Sequence, residues 1–589
     1  MRSSAGSPAC KLRVAPAPGR LLRGYPAVAP VLLVAMVLVA TGTVLAQQAT
    51  QENSENESNS IYGTVINATT REPVARALVH SSDNRYATMT DDAGRFEFTL
   101  PDPAETNAQG QVIRRISQLT LSARKPGFLD DRSQGKWTQA STVAETTIAL
   151  TPEALIKGKV TLPSGETARG VNVQLYRRQV QQGSPRWSLA NSVQANSNGE
   201  FRFAELTPGT YRLFNAEWMD NDPITFVAGS QAYGYPPVYY PNAADFASSS
   251  QIHLSAGQIY DADLSLVRQA YYPVKIPVTN IDENGGLNIT VSPLGERGPG
   301  YSLGYNRTKT MIEGQLPDGK YLVEGVTYSA LPGGRSLSSS GSVSISVAGA
   351  AAEGTSMVLS RGNSIVINVH EEFASTTSPD SSGTSRNTAQ LFALHGPRSE
   401  VSVSAETMDE FGAQQGGSIR PPMGPDDDSL VLENLIPGKY WLRVSPQRGY
   451  VASATMAGAD LLREPMIVVP GASQQVDITL RDDSAELEGT LDMPAASGES
   501  PSERAYIYCI PLPDSTGQFL YFSEYDDGKF RSLRVTPGAY RVIAFDSKQP
   551  EIPYRDAEAM KAYESKGQVV HFSPGEKVTL KLQPIQGVE

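Results

Sequence analysis

Histidine and cysteine are nearly missing from this 589-residue chain, which has five of the first and two of the second. Metal centres draw on such residues at short, fixed spacings. His80, His253, His370, His395 and His571 stand far apart, and none has a glutamate three positions later, so no metal and no cofactor is expected. The sequence also lacks H-E-x-x-H, a G-x-S-x-G elbow and a phosphate-cradling glycine loop. No catalytic residue is assigned, and the chain reads as a non-enzyme. A triad gathered from distant positions is the remote enzymatic alternative, because triads are recognised by geometry. Helical periodicity is scarce as well: the best candidate is 555–566, where Ala557, Met560 and Tyr563 share a face.

Apolar runs are short, and the longest marks the N-terminus. Arg2, Lys11, Arg13, Arg20 and Arg23 form a basic start without an acidic residue, Val31 to Ala40 an apolar stretch, and Val44-Leu45-Ala46 a small-residue cleavage signal. Together they read as a Sec-type signal peptide over 1–46, too short for a comfortable transmembrane helix. The expected location is the periplasm, cell surface or extracellular space, with membrane contact only if the leader stays uncleaved. Residues 47–59 are polar and read as a linker. Cys10 falls in the leader, so Cys509 alone remains and no intrachain disulfide can form. Taking the leader's five basic residues from the 50 present leaves 45 against 62 acidic ones, a net charge of −17. Such a surface excludes nucleic acid as a partner.

What the chain has in abundance is glycine and proline, 51 and 41 residues, which favours many short strands joined by turns. One element recurs: Leu206-Thr-Pro-Gly209-Thr-Tyr211, Leu316-Pro-Asp-Gly319-Lys-Tyr321, Leu435-Ile-Pro-Gly438-Lys-Tyr440 and Val535-Thr-Pro-Gly538-Ala-Tyr540. The spacing matches one small sandwich per copy. Ten residues upstream lie Asn198-Gly199-Glu-Phe201 and Asp527-Gly528-Lys-Phe530, with Asp92-Ala-Gly94-Arg-Phe96 earlier in the chain. These glycines predict two-residue turns with positive φ joining hairpin strands. The tyrosine predicts a corner in which its hydroxyl ties down a turn. Opening strands match at Ile61-Tyr-Gly63-Thr-Val65, Ile156-Lys-Gly158-Lys-Val160 and Leu487-Glu-Gly489-Thr-Leu491. The expected class is all-β, a tandem of small β-sandwiches: 60–151, 152–268, 269–360, 361–482 and 483–587. The third and fourth are degenerate, and the fourth carries loop insertions at 374–387 and 414–429.

These motifs resemble the carboxypeptidase regulatory-like domain, a transthyretin-like (prealbumin-like) sandwich similar to Cna B-type repeats and grouped with carbohydrate-binding-like folds. The resemblance is good in the first, second and fifth units. It implies a fold and an exported location of the kind seen in large bacterial envelope proteins, and it implies no reaction.

The stretch most suggestive of binding is Tyr233-Gly-Tyr235-Pro-Pro-Val-Tyr239-Tyr240-Pro241, with Trp218 and Trp187 in the same unit and Tyr271-Tyr272 opening the next. Tyrosine faces stack on sugar rings or on protein partners. Tyr233, Tyr235, Tyr239, Tyr240 and Trp218 are therefore the candidate ligand-binding residues, set against the alternative that they pack a long loop onto the body of the unit. Asp426-Asp427-Asp428 and Asp282-Glu283 are read as solvated loop charge in preference to calcium ligands, and Cys509 as a buried thiol. The leading functional expectation is an exported binding or scaffold protein, with glycans or other envelope proteins as partners. A structural spacer is the alternative.

Overall fold

The computed structural model describes residues 60–585 apart from 101–117, 131–136, 164, 166–167, 221–230, 282–285, 332–335, 375–400, 412–415, 425, 473, 493–504, 514, 516, 524–527 and 550–551. The leader, the linker, Asp282-Glu283 and most of the 374–387 insertion thus lie outside the described residues. The regular secondary structure of the rest is almost entirely β-strand, as expected of an all-β chain.

Five successive sets of strands repeat one pairing rule. The opening strand of each set runs antiparallel to a middle strand and parallel to the closing strand. Ser60–Asn67 lies between Arg95–Thr99 and Thr146–Leu150. Ala154–Thr161 lies between Glu200–Leu206 and Ile259–Asp261. Gln269–Thr279, Asn363–Glu372 and Ala485–Leu491 are flanked in the same sense. In the first, second and fifth sets four further strands form an opposing sheet; in the second its order is Ser184–Gln194, Asn172–Gln181, Gly209–Asn215, Ile252–Leu254. Period-two alternation buries one face of each sheet, as in Arg95–Thr99, where Phe96 and Phe98 point inward. Each set has its own apolar cluster, for example Ile61, Val65, Phe96, Leu121 and Ile148 in the first. In the fourth set Ser418–Ile419 pairs with strands of both layers and joins them into one nine-stranded sheet.

The repeated tyrosine does what its position predicts. Tyr211, Tyr321, Tyr440 and Tyr540 are all buried, and each hydroxyl donates to the carbonyl four residues earlier, at Thr207, Pro317, Ile436 and Thr536, over 2.6–3.0 Å. The upstream turn differs from expectation. Gly94, Gly199 and Gly528 do take positive φ, 73°, 77° and 69°. The strands on either side, such as Ala87–Met89 and Arg95–Thr99, nevertheless belong to different sheets. The turn is a crossover between layers, not a hairpin. It is held there because the glycine carbonyl accepts the amide at the far end of the opening strand: Val65, Val160 and Leu491, at 2.7–2.8 Å.

The expected helix is shorter than its sequence pattern. Asp556 caps it by accepting from the amides of Glu558 and Ala559, and Ala557–Met560 passes into a 3-10 turn, Lys561–Tyr563. Arg555 and Asp556, at its start, make contacts far from their own set. The tip of the second set's long hairpin (172–194) reaches them: Gly183 O accepts from Arg555 N at 2.9 Å, Gln182 O from the Arg555 guanidinium at 3.0 Å. The same hairpin meets the fourth set, where Trp187 N donates to Glu410 O and Arg186 to Thr407 O. The sets from second to fifth are thus braced across the chain as well as along it.

Candidate functional site

The tyrosine-rich segment sits where the second set meets the third, and its backbone explains why. Trp218–Met219 pairs with Ala232–Tyr235, which in turn pairs with Gln269–Thr279, the opening strand of the third set. The second set thereby lends two strands to the next sheet. The prolines that follow, Pro236 and Pro237, cannot donate to a ladder and end the strand.

This placement determines how much of each ring is free. Tyr235 is 5% exposed and stacked on Trp218 with centroids 5.3 Å apart. Tyr239 is 1% exposed, packed against Phe214 and Phe246, and its hydroxyl donates to Pro299 O of the third set at 2.6 Å. Tyr240 is half-buried against Tyr260, the two hydroxyls 3.4 Å apart. Tyr233 is the candidate that reaches solvent, 37% exposed, with the Arg268 guanidinium 4.0 Å over its ring and held there by Asp220. An open platform built from all five rings is therefore not what the chain forms. Tyr235, Tyr239 and Trp218 spend their faces on protein contacts because the segment augments a neighbouring sheet. Trp187 is likewise enclosed, between Phe246 and the Arg212 guanidinium.

The same junction contains a residue that no sequence motif singles out. Glu217 follows Gly209–Asn215, its amide donates to Gly300 O at 3.1 Å, and its Oε2 accepts from the amide and hydroxyl of Ser302 at 3.1 and 3.3 Å. Its Oε1 is shielded from water, as is Tyr271 Oη nearby, and neither makes a close hydrogen bond, so the Tyr271 hydroxyl reaches the carboxyl only weakly. Burial with no cation beside it pushes the Glu217 carboxyl up to about 7, against the pull of the Ser302 hydrogen bonds and of the neighbouring Tyr271 hydroxyl. The Tyr271 and Tyr321 phenols are pushed up strongly, by burial first and by neighbouring charge including that of Glu217, and burial pushes Tyr301 up to about 12. In the sequence Glu217 is one acidic residue in a short polar link, identical in appearance to a solvated one.

Other candidates are structural. Asp427 is bound by Arg420 at 2.5 Å, Ser429 at 2.5 Å and Met423 N at 2.8 Å, so its carboxylate is occupied. Among the described residues no group of three or more His, Cys, Asp or Glu could hold a metal ion. Cys509 is fully buried, which pushes its thiol up to about 12 and leaves no reactive thiolate at neutral pH. No described helix is long and apolar enough to cross a membrane.

No protein-family model matches the chain, and no curated protein matches it, so the regulatory-like motif remains a resemblance. Among solved structures it is similar to a streptococcal ancillary pilin (11% identity, 51% of this chain and 98% of that one, TM-score 0.17). It is also similar to BcpA, the major pilin subunit of Bacillus cereus (9% identity, 56% and 99%, TM-score 0.13). A third is the shaft pilin SpaA from Lactobacillus rhamnosus GG (10% identity, 35% and 97%, TM-score 0.18). At these identities and TM-scores the likeness carries no argument about function.

Proposed function

We propose that the chain is a non-catalytic exported scaffold of five β-sandwich domains, divided at 60–151, 152–268, 269–360, 361–482 and 483–587, acting in the cell envelope or outside the cell. The observation that carries this reading is the cross-bracing. Hairpin 172–194 engages Thr407 and Glu410 on one side and Arg555 on the other, and two borrowed strands fuse the second set to the third. Such contacts make a stiff spacer out of small units that would otherwise move independently. Envelope proteins are the partners this architecture suits.

Small-angle scattering of the exported chain tests the scaffold reading. A braced body gives one compact particle, and Arg555→Ala combined with Trp441→Ala, which removes the ring that the Arg555 guanidinium stacks on, lengthens its maximum dimension. Scattering from wild type that fits a flexible string of beads overturns the reading.

Glycan recognition is the narrower form of the proposal, and Tyr233 is the ring that favours it, as the candidate exposed to solvent. A glycan array run on wild type and on Tyr233→Ala decides the point. Saccharide binding that the variant loses places it at this ring, and an empty array removes it.

A further inference from the structure

We propose that the joint between the second and third sets is held closed by a protonated Glu217 and loosens when that carboxyl loses its proton. It would set the stiffness of the scaffold proposed above, and rests on that reading only for its biological use.

The geometry places the carboxyl at the centre of the joint. Its own backbone is tied to Gly300 and its Oε2 to Ser302, both in the third set. The segment that carries those residues is gripped from the other side by Tyr239, whose hydroxyl donates to Pro299 O. One oxygen of Glu217 is thus fully engaged, while Oε1 is shut off from solvent beside the Tyr271 hydroxyl, a neutral group with which it forms no close hydrogen bond. A carboxylate in that position leaves its negative charge buried and half unsatisfied. A carboxylic acid carries no charge there, and burying it costs far less.

Among the described residues no cation acts on it. The groups facing Glu217 are Tyr271 from strand Gln269–Thr279, Tyr301 and Ser302 from the gripped segment, and Tyr321 from strand Gly319–Ala330. All are neutral, and the three phenols resist ionisation. The cations of this region are engaged elsewhere: Arg268 with Asp220, and Arg297 with Glu324 and Asp409. The second acidic contact across the joint works in the same direction. Glu296 is pushed up by the Asp245 charge beside it.

The sign follows from these shifts. A carboxyl whose acidity is weakened in the closed joint binds its proton more tightly there than when open. Closure is therefore fully favoured below the ordinary carboxyl range, near 4.5, and is progressively lost as pH rises through about 7.

Hydrogen exchange of the exported chain at pH 5.5 and pH 8, corrected for intrinsic rates, tests this. Amides of 298, 300–302, 234–235 and 238–240 should lose roughly tenfold or more of their protection at pH 8. Those at the contact of hairpin 172–194 with Arg555 should keep theirs. In Glu217→Gln, a neutral group of the same shape that can still accept from Ser302, protection at the joint should no longer depend on pH. Flat protection in wild type, an equal loss at both contacts, or an unchanged pH dependence in Glu217→Gln each overturns the proposal. Should the glutamine variant fail to fold, the comparison of the two contacts within wild type still decides it. The scaffold reading is judged separately, by scattering at one fixed pH.

Discussion

Phe201 lies directly across from Gly158 on the neighbouring strand, and the same opposition recurs as Phe96 with Gly63 and Phe530 with Gly489. Two sequence elements that look independent, the I-x-G-x-V opening and the D/N-G-x-F turn, are therefore the two halves of one contact. The ring lies over the glycine, 2.8 Å from where a β-carbon would stand at Gly158, and covers backbone that a side chain would otherwise cover. A carbonyl in or next to the closing strand presses in as well, that of Ala262 at Gly158, Thr146 at Gly63 and Leu580 at Gly489. Gly158→Ala should accordingly cost about 2–4 kcal/mol, because its methyl meets backbone that cannot rotate away. A lowered unfolding temperature checks this, and a wild-type melting curve would falsify the packing argument.

The tyrosine corners should differ in strength. Tyr321 makes one hydrogen bond through its hydroxyl to backbone, at Pro317 O, whereas Tyr540 both donates to Thr536 O and accepts from Gln518 N at 3.0 Å. Removing the hydroxyl of Tyr540 leaves a backbone carbonyl and a backbone amide without their partner, and removing that of Tyr321 leaves one backbone carbonyl and the Tyr301 hydroxyl, which can turn to a new partner. Tyr540→Phe should cost about 2 kcal/mol and Tyr321→Phe about 1 kcal/mol. Urea unfolding followed by hydrogen exchange in each set would compare them, and equal losses would count against this ranking.

How far the sequence can be read follows from how local each device is. The corner tyrosine bonds its own chain four residues back, so its motif alone reveals it. The Asp/Asn-Gly turn is equally local in its φ, but which sheet the next strand joins depends on the packing of two layers, and the motif is silent on that. The tyrosine cluster is visible as a cluster. Its burial is not, because Tyr239 is covered by Pro299, 60 residues later, and its neighbour Phe246 by Phe411 of the fourth set. Glu217 is hidden for the same reason: its environment is assembled from strands on the far side of the joint.

Arg555 is expected to be the residue whose loss most loosens the cross-brace. Its guanidinium lies 4.3 Å over Trp441, donates to Gln182 O, and is largely buried. Arg555→Lys keeps the charge but loses the planar stack and one fixed hydrogen-bond direction. Limited proteolysis should cut the tip of hairpin 172–194 faster in Arg555→Lys, and faster still in Arg555→Ala. Cleavage at the wild-type rate in both would show that the brace is held by Trp187 and Arg186 alone.

Acid should act on a different place, and with the opposite sign to the Glu217 joint. The Arg420 guanidinium, itself 7% exposed, together with Ser429 and the amide of Met423, holds the Asp427 carboxyl far below the usual carboxylate range, against the opposing effect of burial. A group depressed in this way contributes stability that is present above its ordinary value of 3.8 and is lost as pH falls below it. Between pH 5 and pH 2 the loop 420–429 should therefore become accessible to an acid-active protease such as pepsin. Asp427→Asn, which gives up the charge at every pH, should show that accessibility already at pH 5 and change little on acidification. A wild-type loop that stays protected at pH 2 would mean that the Ser429 and backbone contacts hold it without the ion pair.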